Sequence, residues 1–382
     1  MNKRQAFYRH SPALSVSLLF FFLNVCFGSW LSRLPEVQRA LALSESNLGL
    51  ILLGMPLGAM LSTTLSRYLL AKLQPGRLGL LSILAFVGAM IGPPLAQTGW
   101  SLALFLFMAG LVDGLVNVSI NTSASSVESH WSVKVMSSCH GMFSLGGFIG
   151  ALIGGLAANY GLPLYVQMIG IFVLAIMVLG SRFQDLWYLP SNISEERQPM
   201  RWPSLQLVAF MLIGICIMVG EGAISDWSAI YLSKSLGAKP FLAALGFAGF
   251  SAAMAVGRFG GDRIRELFPP RKILRNGTLV AVVGLLIAVS FPYPWAAILG
   301  FTMAGLGYAT GVPILFLEAG NLTPQNPGIG IAAVANAGLI GFLGAPPAIG
   351  FIAEHLGLPT AMFIVAMLAL AAAIGSHFSL SK

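Results

Sequence analysis

Three polar side chains interrupt the apolar stretch 101–126 at intervals of four residues. They are Asp113, Asn117 and Asn121, and this spacing places them on one face of a helix. A carboxylate near the centre of a bilayer costs about 2.5–3.5 kcal/mol on insertion scales, so the stripe must face other helices or water. One interpretation is a set of interhelical hydrogen bonds that hold a bundle together. We favour a stripe that lines a solute pathway, because ionisable residues inside membranes usually mark functional sites.

Two more carboxylates lie in the apolar stretch 204–232, with Glu221 well inside it and Asp226 nearer its end. A carboxyl group that loses its hydration can exchange a proton near neutral pH. Asp113 and Glu221 are therefore candidate proton-coupling groups, or ligands for a cationic solute. A permanently paired, structural Glu221 is the alternative. We expect Asp226 to be interfacial, with Trp227 as an anchor at the membrane boundary.

The amino-acid composition indicates the class of protein in which these polar residues lie. The 382 residues are 57% hydrophobic and only 9% charged, with a mean hydropathy of +0.83. Soluble domains carry about 25% charged residues, so the sequence predicts an integral membrane protein. The net charge of +8 is spread over short Lys/Arg groups between apolar runs, which excludes a nucleic-acid partner.

Apolar stretches long enough to cross a bilayer can be placed twelve times, which predicts an all-α membrane protein of twelve spans. The spans are 12–32, 46–66, 78–98, 101–126, 136–158, 161–181, 204–232, 240–257, 273–291, 294–318, 328–352 and 358–377. With the N-terminus inside, 17 of the 21 Lys and Arg residues fall on the inner side. The sequence therefore predicts a bacterial inner-membrane protein with both termini in the cytoplasm.

A polar stretch at 182–203 divides the spans six and six, and it reads as a cytoplasmic linker between bundles at 1–181 and 204–382. The halves also resemble each other. Gly161-Leu162-Pro163 matches Gly357-Leu358-Pro359 at an offset of 196, which also sets His140 over Asn336. An even number of spans per half makes the repeats parallel.

At an offset of 197, Asn24 meets Glu221 and Trp30 meets Trp227. Asn24 and Trp30, with Asn117, Asn121, His140 and Asn336, are our candidate substrate-binding residues. A His that faces a neighbouring helix would instead be a satisfied core residue.

Two charged sites are gating candidates. The first is a predicted loop between spans eight and nine, with Gly257, Arg258, Asp262 and Arg263. One interpretation is a polar clasp that opens and closes, and the alternative is a plain cytoplasmic anchor. Arg33 ends span one; it either closes the outer mouth by pairing with an acid such as Asp226 or, as we slightly favour, is solvated at the headgroups.

Short motifs accompany this pattern: Ser29-Trp30-x-x-Arg33-x-Pro35, His140-Gly141-x-x-Ser144-Leu145-Gly146, Glu221-Gly222 through Asp226-Trp227, and Gly344-Ala345-Pro346-Pro347. With twelve spans in two sixes and the glycine–acid–arginine segment, the chain resembles the major facilitator superfamily (MFS) over its whole length. Within it, the chain resembles the fucose-permease-like branch. The resemblance implies that spans one, four, seven and ten line a central cavity, with five and eleven contributing side chains.

In the sugar-permease pattern, span four carries a protonatable Glu four residues before an Asn. The Asn matches Asn121, whereas Asn117 occupies the Glu position, so the resemblance transfers no coupling role there. His140 stands where that pattern has a sugar-contacting Gln, and Leu31 is near the place of its span-one Asp.

These features predict a secondary transporter of a small polar solute, sugar-like as a first guess, with proton coupling left open. The alternatives are drug or metabolite efflux, or a sensor that binds without transport. No metal-ligand cluster or catalytic set is present in the sequence, so we expect neither an enzyme nor a cofactor. The expected partners are the solute, the lipid bilayer and, if coupled, protons. The proposal requires Asp113, His140 and Glu221 to converge on one hydrated chamber.

Overall fold

A computed structural model describes residues 10–190, 204–324 and 326–379. In these ranges, eleven helices are long and apolar enough to cross a membrane. The helix Leu164–Gly180, with 17 residues, is the shorter twelfth and falls where span six was predicted. The described residues group into two compact units, Met1–Leu43 with Leu50–Glu195, and Ser44–Gly49 with Glu196–Lys382.

The first unit carries spans one to six. Its helices are Ser11–Leu31 (span one), Leu34–Ala40, Gly54–Lys72 (most of span two), Pro75–Ala89 (span three), Gly99–Trp131 (span four), Met136–Asn159 (span five), Leu164–Gly180 (span six) and the short Phe183–Trp187. Span two begins with the helix Glu45–Leu52, whose residues up to Gly49 are grouped with the second unit. Span one packs against span five, and span two against span four.

The second unit repeats these pairings, with span seven against span eleven and span eight against span ten. Its helices are Leu205–Ile230 (span seven), Pro240–Leu267 (span eight), Pro270–Ser290 (span nine), Pro294–Tyr308 and Gly311–Leu322 (together span ten), Pro327–Leu356 (span eleven) and Leu358–Ser379 (span twelve). A five-residue π-helical turn, Tyr231–Ser235, extends span seven.

The sequence repeat corresponds to a shared backbone feature. Gly161 and Gly357 both have positive φ, at +69° and +85°, and lie two residues and one residue after the helices of spans five and eleven. Glycine is the residue that adopts positive φ without a Cβ clash, so the repeat places it just beyond both helices. The matching tryptophans Trp30 and Trp227 are 1% and 0% exposed.

Close helix contacts explain many glycines in the spans. On span five, a Cβ at Gly146 would lie 2.2 Å from the carbonyl oxygen of Phe21, and one at Gly150 would lie 2.2 Å from that of Val25. Small residues allow helix backbones to touch, which is a main source of attraction between helices in lipid. Spans one and five are therefore tightly packed.

Two predicted boundaries differ from the structure. Gly257–Arg263 is not a loop: span eight continues as one helix to Leu267 and stops only before Pro269 and Pro270. The start of the predicted linker is packed on the first unit, since Leu186 is 0% exposed and Ser15 Oγ donates to Asp185 at 2.7 Å. The rest of that linker, 191–203, lies outside the described residues.

Candidate functional site

The stripe of span four lies on one continuous helix, as the spacing predicts. The Asn117 side-chain amide donates to the Asp113 carbonyl at 3.1 Å, and the Asn121 amide donates to the Asn117 carbonyl at 2.8 Å. These donors bond the preceding turn of their own helix rather than a neighbouring helix. Asn117 is exposed and Asn121 is half-buried, so both remain accessible to a ligand.

Asp113 is the buried member of the stripe, with 9% of its surface exposed. Its Oδ1 atom is buried and has no hydrogen-bond partner among the described residues. Gly114 beside it packs span four on span two, because a Cβ there would lie 2.3 Å from the Ala59 carbonyl oxygen. A carboxylate oxygen in this setting is costly unless a proton or a ligand satisfies it.

Spans one and five position two further candidates. The Asn24 amide donates to the Phe143 carbonyl at 2.9 Å, and Asn24 is 5% exposed. The half-buried His140 ring meets the Phe20 ring edge-on, with 5.4 Å between centroids. Trp30 is 1% exposed and packs in the core, so in this structure it is not presented to a solute.

Arg33 is not solvated at the headgroups, because it is only 2% exposed. Its guanidinium donates to Glu36 Oε2, to the Leu162 carbonyl and to Gln167 Oε1, the last two at 2.8 Å. Gln167 in turn donates to Ser29 Oγ at 2.9 Å. These partners all belong to the first unit, and through them Arg33 links the end of span one to span six. Pairing with Asp226 is not among these contacts.

In the second unit, Glu221 of span seven faces Arg258 of span eight. Glu221 Oε2 lies 3.7 Å from Arg258 Nη2, and the two side chains are 13% and 15% exposed. Arg258 is therefore largely buried beside Glu221, and its part in the predicted clasp stays a prediction. The distance exceeds that of a hydrogen bond, and Glu221 Oε1 is buried without a partner among the described residues.

Tyr308 was missed by the sequence reasoning. It ends the first helix of span ten, is 1% exposed, and its hydroxyl is buried without a partner among the described residues. The hydroxyl lies against the backbone next to Glu221, since a Cβ at Gly220 would be 2.4 Å from it. A hydroxyl-bearing aromatic residue just before the Gly311 and Pro313 helix break was the signal available in the sequence.

The other gating and binding candidates fall at separate places. Arg263 pairs with Glu266 at 3.5 Å on the surface, whereas the Asp262 side chain lies outside the described residues. Gly257 packs on span ten, where a Cβ would lie 2.3 Å from Ala309 Cβ. Asn336 of span eleven is exposed.

Trp227 differs from its predicted role at the membrane interface, whereas that of Asp226 stays a prediction. Trp227 is 0% exposed with its indole Nε1 buried and unpartnered among the described residues, so a membrane-boundary anchor is wrong. Asp226 is half-buried and forms no ion pair within the described ranges. Within those ranges, no group of three His, Cys, Asp or Glu residues could hold a metal ion.

Comparison with known proteins identifies the family. An uncharacterized MFS-type transporter from Yersinia pestis is 32% identical over 375 residues, covering 96% of this chain and 95% of that protein. This chain belongs to the major facilitator superfamily of transporters. No model in a scan against protein-family models matches the chain.

Solved structures share the MFS fold. A mutant of the nucleoside transporter NupG has a TM-score of 0.73 at 13% identity, over 97% of this chain and 100% of that one. A mutant of the E. coli fucose:proton symporter FucP has a TM-score of 0.65 at 17% identity, over 97% of this chain and 98% of that one. The predicted all-α membrane fold and the MFS resemblance are thereby confirmed.

Proposed function

We propose that this MFS chain is a secondary active transporter that moves a small polar solute by alternating access. The solute is sugar-like as a first assignment, and Asp113 and Glu221 are the proton-coupling groups. The chain lies in the bacterial inner membrane with both termini in the cytoplasm. The positive-inside distribution of Lys and Arg supports this orientation.

One observation carries the proposal: each half holds a carboxylate inside its spans with one buried oxygen that lacks a hydrogen bond among the described residues. A structural carboxylate should have both oxygens satisfied, because an unpaired buried polar atom costs about 1–3 kcal/mol. A carboxylate that alternately binds and releases a proton or a solute must keep an oxygen free of hydrogen bonds within the protein. Asp113 and Glu221 fit that requirement better than the paired Glu36.

Nearby polar groups can complete a binding surface in each unit. In the first unit, the exposed Asn117 offers its amide oxygen, and His140 offers an imidazole. In the second unit, the Tyr308 hydroxyl lies against Gly220, the residue before Glu221. Hydroxyl groups of a sugar-like solute both donate and accept hydrogen bonds, so they suit this mixture of acceptors and donors.

The test is solute flux in proteoliposomes with an imposed pH gradient. A panel of sugars, polyols and nucleosides is first screened by thermal shift, since a ligand of the folded state raises apparent stability. We expect the bound solute to accumulate with the gradient, and Asp113→Asn or Glu221→Gln to abolish gradient-driven accumulation. Glu266→Gln, which changes a surface carboxylate with 64% side-chain exposure, is the matched control.

Several outcomes would overturn parts of this proposal. Wild-type flux in both variants between about pH 5 and 8 contradicts the coupling assignment. A ligand that binds but never crosses supports the sensor alternative, and flux of bulky apolar compounds alone supports efflux.

A further inference from the structure

In the second unit, basic side chains meet where span nine begins and span twelve ends. Span nine begins at Pro270 and carries Arg271, Lys272 and Arg275 in its first two turns. Span twelve packs against span nine and carries His377 close to its last residue. Arg275 Nη1 lies 3.5 Å from His377 Nδ1, so the two helices bring their basic groups to one place. Neither helix contains an acidic residue.

Two of these basic side chains are not used within the protein. Arg271 and Lys272 form no side-chain hydrogen bond or ion pair with the described residues, and Lys272 is exposed. Glu266, near the end of span eight, pairs with Arg263 instead, at 3.5 Å. Arg271 and Lys272 are therefore available to an anion from outside the chain.

The first unit treats its corresponding basic residue differently. Spans three and nine begin with Pro75 and Pro270, and each has a basic residue two positions later. In span three this residue is Arg77, whose guanidinium lies 5.0 Å from the centroid of the Trp187 ring and whose Nε donates to the Trp187 carbonyl at 2.7 Å. The first unit thus satisfies this cation with its own chain, whereas Lys272 has no such contact with the described residues.

Exposed apolar side chains continue from the basic groups along both helices. Leu279 and Val283 lie seven and eleven residues after Lys272, on the same helix face, and are 39% and 48% exposed. On span twelve, Ile374 and Phe378 are 52% and 79% exposed. A basic end beside exposed apolar rows on two packed helices matches an amphiphile with an anionic headgroup and apolar chains.

We infer that this end of spans nine and twelve binds the phosphate of an anionic phospholipid, whose acyl chains lie along the exposed apolar rows. Arg binds phosphate through its fork of N–H groups, and Lys binds it as a point charge. Basic groups between membrane helices on the cytoplasmic side are suited to anionic headgroups, and the proposed orientation places this end in the cytoplasm. The lipid site does not depend on the proposed transport.

Native mass spectrometry of the purified, delipidated full-length protein in detergent tests the site. Dioleoyl phosphatidylglycerol is titrated in parallel with dioleoyl phosphatidylcholine, which has the same acyl chains and phosphate but no net charge. We expect phosphatidylglycerol to bind at least about fivefold more tightly. Lys272→Gln should weaken phosphatidylglycerol binding about fivefold, and Lys272→Gln with Arg271→Gln about twentyfold, because each removes a cation from the headgroup site.

A lysine at the other end of span eight provides the matched control. Lys239 is exposed and directly precedes Pro240, the first residue of that helix, so Lys239→Gln removes the same charge far from Leu267 and the start of span nine. It should leave phosphatidylglycerol affinity unchanged. An excess of inorganic phosphate should not displace the lipid, because phosphate has no acyl chains to bury. Size-exclusion profiles identify any misfolded variant, and the comparison of the two lipids on the wild-type protein then decides.

Equal affinities of the wild-type protein for the two lipids overturn the lipid site. Equal losses in Lys272→Gln and Lys239→Gln also overturn it, since the attraction would then come from net charge alone. Displacement by inorganic phosphate would show a site for a free anion and overturn the assignment to a lipid.

Discussion

Glu221 Oε2 and Arg258 Nη2 face each other across spans seven and eight at 3.7 Å, close enough for an ion pair and too far for a hydrogen bond. Both side chains are largely buried, so the Glu221 carboxylate depends on Arg258 for compensation. We therefore expect Arg258→Met alone to destabilise the protein by about 3–5 kcal/mol. Thermal unfolding in detergent measures the loss.

The double variant Arg258→Met with Glu221→Gln distinguishes charge from packing. It should recover most of the stability, because it removes both charges of this buried pair. A double variant as unstable as Arg258→Met alone would show that the arginine acts through packing instead.

Gly220 permits the Tyr308 hydroxyl to lie against span seven. A Cβ at position 220 would be 2.4 Å from this oxygen, so Gly220→Ala should lower stability by about 1–3 kcal/mol through overpacking. Adding Tyr308→Phe removes the clashing atom and should restore most of the loss, as measured by melting temperature. Equal melting temperatures for Gly220→Ala with and without Tyr308→Phe would contradict this contact.

Two tyrosine hydroxyls give a matched comparison. The Tyr231 hydroxyl donates to the Ala288 carbonyl at 2.9 Å, whereas the Tyr308 hydroxyl is buried with no partner among the described residues. Tyr231→Phe should cost about 1 kcal/mol, and Tyr308→Phe should be neutral or stabilising. If Tyr308→Phe is the more damaging change to stability, its hydroxyl has a partner in the folded protein.

The buried arginine of the first unit depends on the amide of Gln167. Gln167→Leu removes the acceptor of Arg33 Nη1 and the donor to Ser29, so it should cost about 1–3 kcal/mol. Gln184→Leu, at an exposed position of the Phe183–Trp187 helix, is the control and should change little. Chemical or thermal unfolding of both variants provides the measurement, and equal effects would contradict the network.

Two glycines allow the effect of backbone conformation on stability to be distinguished from that of steric crowding. At Gly161 and at Gly170 nothing lies within 4 Å of an added Cβ, but only Gly161 has positive φ, at +69°. Gly161→Ala should therefore cost about 1–2 kcal/mol, and Gly170→Ala, inside span six, should be neutral or stabilising. Comparable losses at both positions would show that φ is not the cause.

Much of the fold could be predicted because bilayer crossing is encoded locally. The length of each apolar run indicates a span, and the repeat of Gly161 in Gly357 indicates two related halves. The prediction of a loop at Gly257–Arg263 was wrong, because glycines in a membrane helix mark close packing as often as a helix break. The helix continued until the paired prolines, which remove a backbone donor and clash with the preceding turn.

The sequence by itself determined the membrane class, the approximate spans, and the presence of costly polar groups at Asp113, Asn117 and Glu221. Only the tertiary structure decided which residues the polar side chains contact. It paired Glu221 with Arg258, buried Arg33 on Gln167 at a separation of 134 positions, and placed Tyr308 against Gly220. Periodicity specifies the face of a helix on which a residue stands, but the neighbour of that face depends on how distant helices pack.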